Sequence, residues 1–440
     1  MDSTDDVVAG GLCIGCGLCE GLAPEQIEMV MTPEGRERPR LRRPLDAPTW
    51  RRIEAACPGT RIDGVPRASV PARASVDPVW GPIIRLVKAH AADPDVRYRG
   101  SSGGVLTALG QYLLESGRVE AIVHVAASRE APMRSTGQVS FDRVQVLESA
   151  GSRYGPAAPL RDLMTIVERG RPFALIGKPC DVGAVRNLAR TEPRLAAQMR
   201  YALAMLCGGA SDLEKSRAVL TQFGLRENEL SLFRYRGYGS PGLNRIQTHD
   251  GRGVTVTYQE MWEDEAGWRI QPRCKICPDA IGEVADIVAG DMWPGGEPPD
   301  NDDGYNAVFV RTEVGAELFE SAVAAGVLEV GDPIPVRRMD DFQPHQVEKK
   351  RAVAARLAGM RAAGAPVPRV RDLRIGHLAR RSGLRTAFHQ FRGAYRRTRR
   401  GRFSEPLADA RSEPLPAREG PHVAAARMPP ARRSADGRGG

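Results

Sequence analysis

Apolar and polar positions divide the chain into a central body and two flanks. In residues 79–344, short apolar runs alternate with loop-and-helix stretches. Ile83–Ala89, Val119–Ala126, Pro172–Ile176, Tyr201–Leu206, Ala285–Ala289 and Ala307–Arg311 are near-continuous apolar runs and predict buried strands. Val105–Glu115 has the spacing of an amphipathic helix. Further helices are predicted near Ala158–Arg169, after the break Gly177-Lys178-Pro179-Cys180-Asp181 through Arg190, and after Cys207-Gly208-Gly209 to about Phe223. This strand–loop–helix alternation predicts an α/β core with a mainly parallel sheet. Leu230–Tyr258 differs: short alternating runs around Gly237, Gly239, Pro241 and Gly251 predict an antiparallel β insertion at about 230–258.

The flanks follow other patterns. Residues 1–65 form a small cysteine-bearing module, with a hairpin predicted within Gln26–Arg43 around Pro33-Glu34-Gly35 and helical turns over Thr49–Ala56. Pro58–Asp77 is rich in Pro, Ala and Ser, which predicts a linker over 66–78. Beyond the body, His345–Ala363 predicts a helix and Pro366–Pro368 a break. Arg369–Arg402 predicts a basic amphipathic helix with Leu373, Ile375, Leu378, Leu384 and Phe388 on one side. These C-terminal helices span 345–402, and 403–440, rich in Pro, Ala, Arg and Gly, is expected to be disordered.

Composition narrows the class. The chain of 440 residues exceeds one ordinary core, and its 42% hydrophobic and 27% charged residues suit a soluble protein. No apolar run approaches the roughly 18 residues of a membrane span, and the acidic start MDSTDD is no signal peptide. A cytoplasmic location follows as an expectation, where cysteines serve metals or chemistry more often than disulfides. The net charge of +9 belongs to the tail: from Val367 onward there are 18 Lys and Arg against 6 Asp and Glu. Such a tail suits a membrane surface or an acidic partner, or else a solvated appendage. Nucleic acid is not expected as a partner, because aromatics are only 5% and the body has no basic stripe.

The cysteines carry the chemistry. Leu12–Cys19, LCIGCGLC, spaces Cys13, Cys16 and Cys19 as C-x2-C-x2-C with Gly15 and Gly17 between. Thiolates so close converge on one centre only if the backbone curls tightly, which glycine permits. Three in a run is the iron–sulfur pattern, whereas zinc ribbons usually offer two separated pairs. Cys57, followed by Pro58, is the natural fourth ligand. The alternatives are zinc and buried, unliganded thiols. A second constellation joins Cys180 and Cys207, each after a predicted strand, to the C-x2-C pair Cys274 and Cys277. A second cluster or a structural zinc would satisfy it.

Two loops add small and polar groups. Gly100–Gly104 (GSSGG), with Ser101, Ser102, Gly103 and Gly104, precedes a helix and could hold a phosphate; a serine N-cap would look the same. Gly151–Tyr154 supplies Ser152, Arg153 and Tyr154, which suits an anion and a ring, or a surface turn.

Taken together and in order, CIGCGLC, GSSGG-VLTALGQYLLE, GSRYGP, IGKPCDVGAVRNL, a later CGG and RCKICPD...ADIVAGD resemble the coenzyme F420 hydrogenase/dehydrogenase beta-subunit family over about residues 10–345. That family includes plant and cyanobacterial reductases of chlorophyll intermediates. The resemblance implies a flavin-dependent oxidoreductase with FAD and two 4Fe–4S clusters. One cluster would sit in a ferredoxin-like N-terminal module, the other, on Cys180, Cys207, Cys274 and Cys277, close to FAD. GSSGG and GSRY would lie around FAD. Electrons would pass between coenzyme F420 or ferredoxin and an unidentified acceptor. Two departures stand out: Cys19 is followed by EGLAP rather than the C-x3-C-P of many ferredoxin runs, and Lys178 precedes Pro-Cys where many relatives carry a small residue or threonine. A lysine there would stabilise an anionic reduced flavin as a catalytic group, or lie on the surface. A non-catalytic electron-transfer subunit and a zinc-stabilised binding protein are the rival readings.

Overall fold

The computed structural model describes residues 1–262, 270–298 and 302–415. Its centre is an eight-stranded sheet. The strands used below are β1 (Ile27–Met31), β2 (Glu37–Leu41), β3 (Arg85–Ala91), β4 (Ala121–Ala127), β5 (Ser135–Ser140), β6 (Phe173–Gly177), β7 (Met199–Met205), β8 (Leu230–Arg234), β9 (Asn244–Thr248), β10 (Gly253–Val256), β11 (Ile287–Asp291), β12 (Asn306–Val310) and β13 (Leu328–Pro333). The order across the large sheet is β13-β3-β12-β11-β7-β6-β4-β5. The predicted parallel pairing holds for the block β4, β6, β7 and β11. Both flanks join antiparallel: β12, β3 and β13 on one side, β5 on the other. The edge strands β5 and β13 were missed because STGQVS and LEVGDP carry too few apolar residues to stand out, and an edge strand needs few.

Alternation along the strands loads both faces. Val87, Ala89, Ala174, Leu203, Ile287 and Val308 point to one side. They meet Leu109 and Leu113 of α1 (Val105–Glu115) and Leu318 and Phe319 of α3 (Glu313–Ala324). Phe173, Leu175, Ala202, Ala204, Val288 and Phe309 point to the other side, against Val182, Val185 and Leu188 of α2 (Pro179–Ala189). Each fully buried Leu or Val contributes about 1.5–3 kcal/mol, so Leu109→Ala alone should cost about 2–5 kcal/mol. The insertion is antiparallel as predicted, with β9 between β8 and β10. The helix expected over Ala158–Arg169 is confined to Leu163–Glu168; Pro159 disfavours helical backbone at the residue before it.

The flanks are more tightly joined than their composition suggests. The hairpin β1–β2 forms as expected, and a helix covers Ala47–Ala56. Yet the N-terminal segment does not stand apart: Ile14, Cys16, Leu18 and Ala56 belong to the main core, and only Ala23, Ile27 and Ile53 make a small cluster of their own. The linker is laid down too, since Ser75–Asp77 pairs with Gly81–Ile83.

The C-terminal segment corrects two expectations. Arg369–Arg402 is not one helix. Arg369–Arg371 pairs in parallel with Arg61–Asp63, and two helices follow, Ile375–Arg381 and α5 (Leu384–Arg399). α5 packs against α4 (Pro344–Ala362), where Gly359 lets the helices meet: a Cβ there would lie 2.4 Å from the Phe391 carbonyl oxygen. Leu373 and Leu378 are buried as expected, but Leu384 and Phe388 face solvent. The chain from 403 to 415 is also ordered. Phe403 is buried, and Glu413–Pro414 adds a short strand beside β1. The rest of the expected disordered tail, 416–440, lies outside the described residues.

Candidate redox site

The first cysteine run curls as its glycines predict. Gly15 and Gly17 have φ of 72° and 81°, which disfavours any side chain there, and a Cβ at Gly15 would come within 2.4 Å of the Glu37 carbonyl oxygen. Cys13, Cys16, Cys19 and Cys57 line one apolar cavity with Ile14, Trp50 and Pro58. Backbone N–H groups of Gly15 and Gly59 donate to the sulfurs of Cys13 and Cys57, each at 3.4 Å. Burial raises the thiol pKa of Cys16, Cys19 and Cys57, and the neighbouring sulfurs raise it further, Cys57 to about 11. Clustered sulfurs whose negative charges disfavour one another in an apolar cavity favour a cation among them.

The second set also converges. α2 begins just after β6, placing Lys178 and Cys180 at the carboxyl end of that strand; Cys207 follows β7 at the same edge. A short 3-10 turn, Pro272–Ile276, brings Cys274 and Cys277. All four cysteines line one cavity with Lys178, Arg273 and Lys349. Burial and then Cys274 push the Cys207 thiol up to about 12. Burial also raises Cys180, with Asp181 adding to it and Lys178 opposing it. The Ala210 N–H donates to the Cys274 sulfur at 3.4 Å.

The two cavities adjoin. Ile14 lines both. Arg273, buried in the second, donates from Nε to the Pro58 carbonyl at 3.1 Å and is among the charges acting on Cys57. Asp181, next to Cys180, acts likewise on Cys16. Arg38 is buried close to both sets, its charge favoured by Cys13 and Cys274 although burial opposes it. It donates to Glu405 at 2.8 and 3.1 Å, to Gln271 at 3.1 Å and to the Glu37 carbonyl at 2.8 Å. Among the described residues no three His, Cys, Asp or Glu side chains are disposed to hold a single metal ion.

Lys178 is neither a surface lysine nor free. Its Nζ lies 2.8 Å from Asp181 Oδ2, and although burial works against its charge, Asp181 and then Cys180 raise its pKa. The serines of GSSGG do not cap α1. Gly104, in the left-handed region at φ 72°, takes that position without a side-chain bond. Ser102 Oγ donates to the Tyr305 carbonyl at 2.6 Å. Ser101 Oγ accepts from the Ser152 N–H at 2.6 Å, which joins the two loops and leaves the hydroxyl its own proton to donate. Gly103 is required by close packing: a Cβ there would lie 2.8 Å from the Ala89 carbonyl oxygen and from Asn306. Arg153 is turned inward, donating to the carbonyls of Phe233, Pro132, Met133 and Arg134 at 2.8–3.1 Å.

Arg236 was not anticipated. It is buried and ties the loops together: to Tyr154 Oη at 3.2 Å, to both Asp291 oxygens at 3.1 Å and to the Ser101 carbonyl. Its guanidinium also stacks over Trp293 at 4.7 Å and Tyr258 at 5.3 Å. Asp291 closes the ADIVAGD run, the one sequence signal that pointed here.

Residues 86–164 match the N-terminal domain, and 170–336 the C-terminal domain, of the coenzyme F420 hydrogenase/dehydrogenase beta subunit. The chain belongs to that family. It is 27% identical over 298 residues to the coenzyme F420 hydrogenase subunit beta of Methanococcus voltae, covering 64% of this chain and 96% of that one. It is 25% identical over 333 residues to the coenzyme F420-dependent sulfite reductase of Methanocaldococcus jannaschii, covering 71% and 46%. Against the F420-dependent formate dehydrogenase subunit beta of the same organism the values are 24% over 252 residues, 57% and 62%. These relatives carry oxidoreductase names and differ in the reaction named. No helix among the described residues is long and apolar enough to cross a membrane.

Proposed function

We propose that the protein is a flavin-dependent iron–sulfur oxidoreductase that passes electrons between a reduced donor, coenzyme F420 or ferredoxin, and an acceptor still to be identified. The observation that carries this is the sorting of all eight cysteines into two four-cysteine cavities that share Ile14. The donor sets fit two 4Fe–4S clusters: Cys13, Cys16, Cys19 and Cys57 for one, in a ferredoxin-like role, and Cys180, Cys207, Cys274 and Cys277 for the other. Each thiolate of such a cluster binds a different iron, so its ligands need not meet at a single point.

The loops at Gly100–Gly104 and Gly151–Tyr154 fit FAD in part. Ser101 retains a donor proton for a phosphate, and Tyr154 offers a ring; Arg153 is engaged elsewhere. FAD, when bound, would supply exchange between two-electron and one-electron carriers. The chain's own residues do the rest. Arg236 fixes the spacing of the two loops, and Lys178, paired with Asp181, brings its ammonium to the cavity of the second sulfur set. Apolar walls around Ile14 keep water from the first.

Anaerobic purification with iron, sulfide and flavin analysis tests the proposal. About eight irons and one FAD per chain are expected for two four-iron clusters; zinc without flavin would overturn it. A second reading, an electron-transfer subunit within a larger complex, is favoured by relatives named as subunits. It predicts clusters without FAD, and activity only once a partner is added.

A further inference from the structure

The β insertion carries a feature that the redox reading does not use. Its outward face, on the strands β8, β9 and β10, opens a cavity of about 380 Å³ whose lining includes Tyr98, Arg234, Tyr238, Arg245, Gln247 and Thr255. Arg234 and Arg245 are direct cross-strand partners, and Thr255 is paired with Arg245 on the far side. The three therefore form a row across the sheet. Like charges directly opposite each other destabilise a sheet, and among the described residues no Asp or Glu lines the cavity to relieve them. Arg234 is half-buried, and its Nε is a buried donor with no hydrogen-bond partner. Burial, and also the charge of Arg245, push its pKa down, opposed by Tyr238.

The aromatic wall is an independent observation. Tyr238 has φ 64°, a conformation a bulky residue rarely adopts and that tends to occur where function requires it. It places the Tyr238 ring edge-on to Tyr98, centroids 5.4 Å apart, and under the Arg234 guanidinium at 3.8 Å. Both tyrosines remain exposed, at 54% and 41%. Two under-compensated cations, one unmet N–H donor and two ring faces surround one opening of ligand size.

We infer that this face of the β insertion binds an anionic small molecule, one carrying phosphate or carboxylate groups beside an aromatic ring. The arginines take the anion and the tyrosines the ring. The site is separate from both cysteine cavities, and the inference stands whether or not the chain holds flavin.

Calorimetric titration of the purified full chain, with whatever cofactors it carries, tests this with four probes. ADP presents ring and diphosphate together, pyrophosphate the anion alone, adenosine the ring alone, and citrate carboxylates alone. ADP is expected to bind most tightly and adenosine not measurably; citrate matching pyrophosphate would identify carboxylate as the anion recognised. Arg245→Gln and Arg234→Gln should each weaken ADP binding about tenfold, as expected for loss of one charge-assisted contact. Arg245 is exposed, so that variant should fold, with flavin and iron content unchanged. Its thermal stability should be equal or higher, because the cross-strand repulsion is gone. Unsaturable binding of every anion, or wild-type ADP affinity in both variants, would overturn the inference. Loss of flavin from Arg245→Gln would also overturn it, by assigning the cavity to flavin instead.

Discussion

The two cysteine cavities reach the same composition by opposite routes. Three ligand candidates of the first lie within seven residues, and two left-handed glycines curl the chain around them. The second draws on Cys180, Cys207, Cys274 and Cys277, brought together only because β6 and β7 end side by side and the 3-10 turn crosses their edge. A locally encoded site suggests a module that could be detached, and the structure denies that. Cys16 is in the main core, its carbonyl accepts from the Leu160 N–H at 3.0 Å, and Cys13 and Cys57 pack against the cluster that holds Ala394 and Phe403 of the C-terminal segment. Local encoding makes a site easy to find; what holds it in place is long-range in both cases.

The sharpest test of that comparison is to remove one sulfur from each. Cys277→Ser should unpin distant loops as well as lose its cluster, so iron falls by about half, flavin is released, and stability drops by more than about 4 kcal/mol. Cys13→Ser should lose a similar amount of iron but keep flavin, with a smaller drop. Equal drops in chemical denaturation would mean the two sites are equally embedded. Next comes the cover. Glu405 and Arg38 are an almost fully buried pair, and Arg38 keeps only Gln271 and a carbonyl if Glu405 is lost. Glu405→Ala should cost about 3 kcal/mol by stranding a buried charge. It should also make the first cluster labile to chelator while sparing the second. Release of both at one rate would erase the distinction.

How much of this was legible follows from where each signal lies. The glycine-spaced run, α1 and the buried strands were readable because periodicity and spacing are local properties. The Cys-Pro pair singled out Cys57, and the structure places it in the cavity with the other three cysteines. The antiparallel flanks of the sheet were not readable, since a strand's apolar run does not reveal its neighbour's direction. Nor was Glu405, which lies in a stretch of disorder-like composition 367 residues from its partner Arg38. Arg236 shows no local pattern, and Leu384 and Phe388 misled because helical spacing alone cannot say which face is covered.

A smaller effect separates the regions by pH. Glu37, beside the first site, is buried with Oε2 unpartnered. Burial pushes its carboxyl from 4.5 up to about 8, with Lys178 and Arg161 opposing. The folded state then holds a proton that the unfolded state has lost above 4.5, so this contribution is complete below that pH and is lost as pH rises toward 8. His124, on β4, works in reverse: burial lowers it from 6.5 to about 4, so its contribution is present above 6.5 and is lost as pH falls toward 4. Glu37→Gln should flatten the alkaline fall in stability, by on the order of a few kcal/mol between pH 5 and 8, and leave the acid limb untouched. A variant with the wild-type profile would place the proton elsewhere.

The smallest expected effect concerns Lys178, whose charge lies beside the second sulfur set and, through Asp181, near the first. A positive charge favours the reduced, more negative state of any centre next to it, and the benefit falls with distance. Lys178→Gln keeps much of the volume but removes the charge, so iron and flavin content should hold. The potential of the second cluster should move downward by tens of millivolts, that of the first by less. Asp181 complicates the substitution, because its Oδ2 loses the ammonium while Oδ1 already lacks a partner. Left charged, it adds nothing to the shift, since the same charge is there in the wild type; protonated, it would cancel part of it. Comparing the double substitution with Asp181→Asn alone removes that ambiguity, because the two variants differ only in the lysine. If the two clusters then move equally in redox titration, Lys178 is equidistant from them. If neither moves, its charge is screened from both, and the electrostatic role proposed for it fails.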